Sequence, residues 1–350
     1  MTKSAVLVVP GSLDSRTGGY IYDRRIVEGL RLRGWAVDVQ QLDASFPRPT
    51  THALAHADDV FARLPNGIVT VVDSLACGAI PAIVERHRSR LRIVALVHLP
   101  LAADLGSDDD TAARFAAERR ALAAAALVIV TGRATLQLLT GYELPPSRVV
   151  VVEPGTDAAP LARGSSGSPL QLLSVATLNP GKGHAHLLTA LAAVPSRHWH
   201  LTCAGSVTRH PPTVERIRAM VRDLRLGNHV SLTGDLEAAA LEECYDRSDL
   251  FVLATLRETY GMAVAEALAH GLPVVSTRTG AIPELLGHAA GLLVPPGDIR
   301  ALTDALTRVV GDADLRARLA AGARQVRPTL PRWDETIAKM ATTLESIGYE

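Results

Sequence analysis

Cysteine is nearly absent from this 350-residue chain: Cys77, Cys203 and Cys244 are the only three. An odd number of widely separated cysteines with no CxxC spacing excludes a disulfide framework and a zinc knuckle, and leaves small core residues of a reducing compartment. Aromatic residues are equally scarce, 4% against 47% hydrophobic overall. That balance disfavours an aromatic-rich β-sandwich and favours parallel strands and helices built from Val, Ile, Leu and Ala. Neither sign of charge is in excess, since Lys+Arg and Asp+Glu both total 36, so no global field draws in nucleic acid. No uncharged apolar run reaches the roughly 20 residues of a membrane span. Met1–Pro10 carries one lysine and a short apolar run that enters a turn directly, without a signal peptide's cleavage region. The expectation is a cytoplasmic protein with no nucleic-acid partner and no transmembrane segment; peripheral membrane contact stays open.

What is present is a succession of βα units. The chain is too long for one ordinary core, so two domains are expected. Ala5–Val9, Ala36–Val39, Ile68–Val72, Arg92–Val97, Leu127–Val130 and Val149–Val152 are short apolar runs separated by helical or turn-rich segments, the pattern of an open parallel sheet. This first domain spans 1–157. Residues 158–169 are small, polar and aperiodic, which reads as a linker. The pattern restarts over 170–331, with strands at Leu170–Val175, His200–Ala204, His229–Leu232, Leu250–Leu253 and Pro273–Ser276. The tail, 332–350, is helical and is expected to cross back onto the first domain. The predicted fold class is α/β, two Rossmann-like domains facing a central cleft. In such sheets ligands bind outside the carboxyl ends of the strands, so the post-strand loops are where chemistry should lie.

The strongest such segment is Arg257-Glu258-Thr259-Tyr260-Gly261-Met262-Ala263-Val264-Ala265-Glu266, between the strand Leu250–Leu253 and a helix that Gly271 and Pro273 end. A helix starting near Gly261 directs free N–H groups and a positive dipole end outward, and glycine lets a phosphate approach the backbone. Such an end holds a diphosphate without metal. Glu258 stands above it, placed to accept hydrogen bonds from sugar hydroxyls. Glu266 lies about 7.5 Å further along the helix axis, a span that reaches a ribose. A lone helical Glu is most often solvated; the order strand, Glu, Gly, helix, Glu is harder to dismiss. The second segment is Thr177-Leu178-Asn179-Pro180-Gly181-Lys182-Gly183, a post-strand loop carrying one of only three lysines among the 36 basic residues. An ammonium there stabilises charge developing on a leaving diphosphate. In the first domain Thr17-Gly18-Gly19-Tyr20 follows the first strand, and His98 ends the fourth.

Glu258 to Glu266 resembles the Glu-x7-Glu motif of retaining glycosyltransferases of the GT-B fold, family 4. Downstream, Glu266–Ser276, Gly280–Glu284 and Gly291–Asp298 resemble the C-terminal half of that family. The resemblance implies a nucleotide-diphosphate sugar donor, transfer with retention, no metal and no cofactor. It assigns Lys182, Glu258 and His98 to catalysis. Donor binding falls to Gly18, Gly19, Thr177, Lys182, Gly205, Glu258, Tyr260, Gly261, Met262, Ala263 and Glu266. The chain departs from the family at Thr177, where relatives commonly carry an Arg, so one phosphate-neutralising charge is missing; Arg16 and Arg257 are the candidate replacements. Asp108-Asp109-Asp110 precedes the helical run Thr111–Ala126, where acids favour a helix N-terminus, and reads as a cap. The pairs His52/His56, His184/His186 and His198/His200 have metal-like spacings but no Cys or acid to complete a site.

Two other functions fit the same residues. A sugar phosphorylase or sugar-phosphate synthase uses similar machinery and would need additional basic residues at the site. A catalytically idle sugar-nucleotide sensor would bind nucleoside diphosphate without turnover, and the missing Arg favours it.

Overall fold

The computed structural model describes residues 3–103, 111–166 and 169–348, so Asp108–Asp110 lie outside the described residues. The chain divides into two compact units, Met1–Gly155 with Pro331–Glu350, and Thr156–Leu330.

The first unit holds β1 (Ser4–Pro10), β2 (Ala36–Leu42), β3 (Val69–Asp73), β4 (Arg92–Val97), β5 (Leu127–Val130) and β6 (Val149–Val151), in the order β2-β1-β3-β4-β5-β6 and all parallel. Strands β3 and β5 bury every residue and β4 all but Arg92. A parallel sheet covered on both faces requires this, and it explains why these strands read as unbroken apolar runs. Edge strand β2 alternates instead, burying Val37 and Leu42 while Ala36, Asp38 and Gln41 face solvent. The helix Gly18–Leu32 buries Tyr22, Asp23, Ile26, Val27 and Leu30. The C-terminal helix Trp333–Gly348 belongs to this unit: Thr336 Oγ1 donates to Glu153 O at 2.9 Å, and Arg92 Nη1 donates to Ile347 O at 2.6 Å.

The second unit holds β7 (Leu170–Val175), β8 (Trp199–Ala204), β9 (Val230–Gly234), β10 (Leu250–Leu253), β11 (Val274–Thr277) and β12 (Gly291–Val294), ordered β12-β11-β10-β7-β8-β9 and all parallel. Its core includes Trp199, Leu172, Leu191, Leu201 and Val252, all essentially inaccessible; each such side chain contributes about 1.5–3 kcal/mol by burial.

Within the segment expected as a linker, residues 162–165 form a strap on this unit. Ala162 N donates to His270 O and Gly164 N to Asp246 O, each at 2.9 Å. Arg163 Nε donates to Asp246 Oδ2 at 2.8 Å, and Ser165 N to Asp249 Oδ1 at 3.0 Å. Small residues let this backbone lie against the ends of other elements, which composition alone does not distinguish from flexibility.

Strand order reverses between β1 and β3 in one sheet and between β7 and β10 in the other. Those are the places where doubly wound sheets open a crevice at the strand ends.

Candidate functional site

In the second unit the loops after β7 and β10 flank the reversal point and are tied together. Gly181 O accepts from Leu256 N at 2.8 Å and from Thr255 Oγ1 at 3.2 Å. At Gly183 φ is +67°, and a Cβ there would stand 1.9 Å from Ala254 O, so only glycine permits this approach. Asn179 Oδ1 accepts from Lys182 N at 3.1 Å and fixes the turn. Lys182 therefore leaves a rigid support, and its Nζ meets Glu258 Oε2 at 2.6 Å, with side chains 27% and 14% exposed. Glu258 Oε1 accepts from Thr259 N at 3.2 Å. The two residues singled out for opposite duties on the donor are thus an ion pair, 76 positions apart in sequence.

Gly261 is the N-cap of the helix Met262–Ala269, with φ +100° and no side-chain cap. The first N–H groups of a helix have no carbonyl one turn behind them, and here no capping side chain takes that place. Met262 and Ala263 are half-buried at this end, while Tyr260 is buried. Glu266 is held by Tyr245, whose Oη donates to Glu266 Oε2 at 2.8 Å. Tyr245 in turn stacks on His270 at 4.7 Å and 7°, and burial, followed by Glu266, raises its phenol well above the usual range. Tyr245 was not foreseen from sequence; its place in a helix gives no sign that it reaches another helix's glutamate.

Gly205 has a packing reason to be glycine, because a Cβ there would stand 2.2 Å from Ala176 O. Thr177, half-buried beside it, puts no charge near Lys182. His184 opens the next helix fully buried, with neither ring nitrogen hydrogen-bonded; burial, then the Lys182 charge, push its pKa down to about 4.

In the first unit, loops after β1, β3 and β4 meet at the other reversal point. His98 follows β4, and a Cβ at Gly19 would stand 3.2 Å from its Cδ2, so the N-terminal end of the helix Gly18–Leu32, and not a loop, lies against the imidazole. His98 Nε2 is 3.0 Å from Asp23 Oδ1 and 3.6 Å from Asp73 Oδ2; the acids are 1% and 4% exposed. Burial, then Asp23, raise the Asp73 carboxyl to about 7. Burial opposes the charged form of His98, but the charge and hydrogen bond of Asp23, and then Asp73, outweigh it and hold the imidazole above its ordinary pKa. Sequence reading missed both acids. The available signals were Asp73 as a charge closing an apolar strand, and Asp23 on the buried stripe of a helix with Ile26 and Val27. Among the described residues this is the one group of three His, Cys, Asp or Glu side chains whose ligand-type atoms lie within 4.8 Å of one another. Within it His98 Nε2 and Asp23 Oδ1 are already joined by a hydrogen bond. The histidine pairs contribute to no such group among the described residues.

Residues 161–326 match the model of the family "Glycosyl transferases group 1". Among curated proteins, the chain is 27% identical over 234 residues to D-inositol 3-phosphate glycosyltransferase of Corynebacterium glutamicum, covering 62% of this chain and 56% of that relative's length. It is 24% identical over 332 residues to the MMP alpha-(1->4)-mannosyltransferase of Mycolicibacterium hassiacum, covering 89% and 79%. The inositol-phosphate relatives are thus spanned over little more than half their length. Among solved structures, sucrose-phosphate synthase from Thermosynechococcus elongatus has a TM-score of 0.82 at 20% identity, covering 98% of this chain and 99% of that one. Anabaena HepE in complex with UDP-glucose has a TM-score of 0.79 at 16% identity, covering 97% and 99%. The fold is GT-B, two Rossmann-like domains. Among the described residues no helix is long and apolar enough to cross a membrane.

Proposed function

We propose that this chain, whose residues 161–326 match the model of the group 1 glycosyl transferases, moves a sugar from a nucleotide-diphosphate donor to an acceptor hydroxyl, with retention and without a metal ion. The observation that carries the proposal is the Lys182–Glu258 pair set beside the uncapped helix end at Gly261. The backbone N–H groups of Met262 and Ala263 take the diphosphate oxygens. Lys182 transfers its ammonium from Glu258 to the leaving phosphate, and Glu258, released, accepts hydrogen bonds from the sugar. Glu266, its second oxygen pinned by Tyr245, binds the ribose. As the bond from C1 to the phosphate oxygen breaks, the acceptor oxygen forms its bond on the same face and gives its proton to the leaving phosphate. The products are a glycoside and a nucleoside diphosphate. Rate comes from positioning and charge stabilisation.

The names of the relatives point to hydroxyl acceptors of the sugar and cyclitol class, and the HepE complex makes UDP the first base to test. A thermal-shift screen of UDP-, GDP- and ADP-sugars in EDTA, followed by release of nucleoside diphosphate in the presence of acceptors, tests the reading. A stabilising nucleotide sugar that turns over supports it. Binding without turnover favours the sensor, release that depends on inorganic phosphate favours a phosphorylase, and no binding at all refutes the donor site.

A further inference from the structure

We propose that Asp23, Asp73 and His98 form a binding site for one divalent transition-metal ion inside the first unit, with Zn²⁺ the ion that fits it best. No step of the proposed transfer uses this ion, and the site stands apart from that reading. The ligands come from three elements: Asp23 from the helix Gly18–Leu32, Asp73 from the last position of β3, and His98 from the residue after β4. Strands β3 and β4 are neighbours in the sheet, with Asp73 opposite Leu96, so two of the ligands stand at adjacent strand ends on a buried support. Each residue offers one ligand-type atom, and these atoms lie within 4.8 Å of one another. His98 Nε2 is 3.0 Å from Asp23 Oδ1 and 3.6 Å from Asp73 Oδ2. Ligands about 2.0–2.1 Å from a tetrahedral zinc stand about 3.3–3.4 Å from each other, and the two spacings bracket that requirement.

Closeness alone would describe a hydrogen-bonded acid and histidine. Two further observations point to a cation. Asp23 is 1% exposed, and its Oδ2 is buried without a hydrogen-bond partner, whereas a carboxylate taken out of water is costly unless its oxygens are satisfied. Two buried acids also share one imidazole. With no other cation one acid must keep a proton or stay unmatched, while a dication beside a neutral imidazole balances both carboxylates. Asp73 is braced as a ligand is, because its Oδ1 accepts from Leu75 N at 2.7 Å and its Oδ2 is the oxygen nearer the ring. Tyr22 does not compete: it presents its ring edge to His98 at 5.3 Å and 79°, and its hydroxyl donates to Val152 O. The His98 side chain keeps 17% of its surface, which gives an ion a way in and a water the fourth position. One nitrogen and two oxygens suit zinc, whereas Mg²⁺ and Ca²⁺ favour all-oxygen sets. On binding, Nε2 gives up its hydrogen, and coordination replaces the hydrogen bond to Asp23.

The test is Zn²⁺ titration calorimetry on the full chain, treated with EDTA and then freed of it, in wild type, Asp73→Asn, His98→Gln and a His52→Gln/His56→Gln control that removes an exposed i,i+4 pair. The wild type should bind one equivalent of Zn²⁺, and its Tm should rise with the ion. Asp73→Asn and His98→Gln should each weaken binding by about a hundredfold or more, since even the outer partners of metal ligands are worth ten- to a hundredfold. The control should keep wild-type affinity. Zinc X-ray absorption on the loaded wild type decides the matter where a variant does not fold: it should show nitrogen and oxygen ligands with a single imidazole and no sulfur. Absence of stoichiometric binding would overturn the proposal. So would unchanged affinity in Asp73→Asn and His98→Gln, or two or more imidazoles on the zinc, the result expected if surface histidines take the ion. None of these readouts involves turnover, so a protein inactive on every nucleotide sugar would sink the transferase reading and leave the metal site separately measured.

Discussion

Lys182→Ala is the perturbation whose consequence the geometry constrains most. The Lys182–Glu258 pair is mostly buried, its side chains 27% and 14% exposed, so removing the lysine leaves Glu258 without its cation and should lower Tm. The larger cost falls on the transition state. A unit positive charge about 4 Å from a unit negative charge is worth on the order of 4 kcal/mol at the effective dielectric of a protein surface. Part of that is forfeited because Lys182 must leave Glu258. At about 1.4 kcal/mol per tenfold in rate, the loss should be about 10² to 10³ in kcat, the range seen when one preorganised donor is removed. Thr177 supplies no second charge, so nothing on the same loop compensates. The assay is nucleoside diphosphate release at saturating donor, with Tm measured on the same preparation. A folded Lys182→Ala with wild-type kcat would refute the role. A loss below tenfold, deepening greatly in a double variant with Arg257→Ala or Arg16→Ala, would instead show that one of those arginines shares the charge.

The two glutamates should separate kinetically. Glu258→Gln should lower kcat while nucleoside diphosphate still binds, whereas Glu266→Ala should weaken both donor and nucleotide; equal losses of nucleotide affinity would contradict the assignment. Tyr245→Phe should resemble a mild Glu266→Ala, with donor KM raised severalfold and kcat kept, because it frees the carboxylate oxygen that Tyr245 now holds. EDTA should leave transfer unchanged, and activity restored by Mg²⁺ or Mn²⁺ after its loss would count against metal independence. His184 gives a pH prediction with a definite sign. Unfolded, it gains a proton below its ordinary 6.5; folded, it stays neutral to about 4. Stability should be flat above 6.5 and fall by about 3 kcal/mol as pH drops from 6.5 to 4. His184→Leu should remove that part of the slope in urea unfolding, and parallel wild-type and variant curves would show that the histidine is not buried neutral.

The strands β4, β5, β7 and β10 were legible to the residue, because a doubly covered parallel sheet demands apolar runs with polar punctuation. Outside them the signal thins. The helix Thr51–Arg63 lies in a stretch of unremarkable composition, although Thr50 caps it by accepting from Ala53 N at 3.1 Å. The helices Ile299–Gly311 and Ala313–Val326 were likewise not delineated, yet Asp298 and Asp312 cap them through Ala301 N and Leu315 N. An Asp or Thr three residues ahead of the N–H it caps is the start signal these helices carry. Lys182 and Glu258 could be found because each sits in a glycine-marked loop after a strand. That they pair could not, since the pairing depends on β7 and β10 being neighbours in the sheet. Asp23 and Asp73 were invisible for a different reason: the burial of a single acid is set by its tertiary surroundings, and periodicity does not report which polar residue on a buried stripe has found a partner.

The most direct test of the account is calorimetric titration of UDP, GDP and ADP, in EDTA, into the wild type and Lys182→Ala. The account expects at least one nucleoside diphosphate to bind one site per chain and to lose tenfold or more in affinity in the variant. No binding by any of the three, or equal affinity in both proteins, would contradict the claim that the loops after β7 and β10 hold a donor diphosphate.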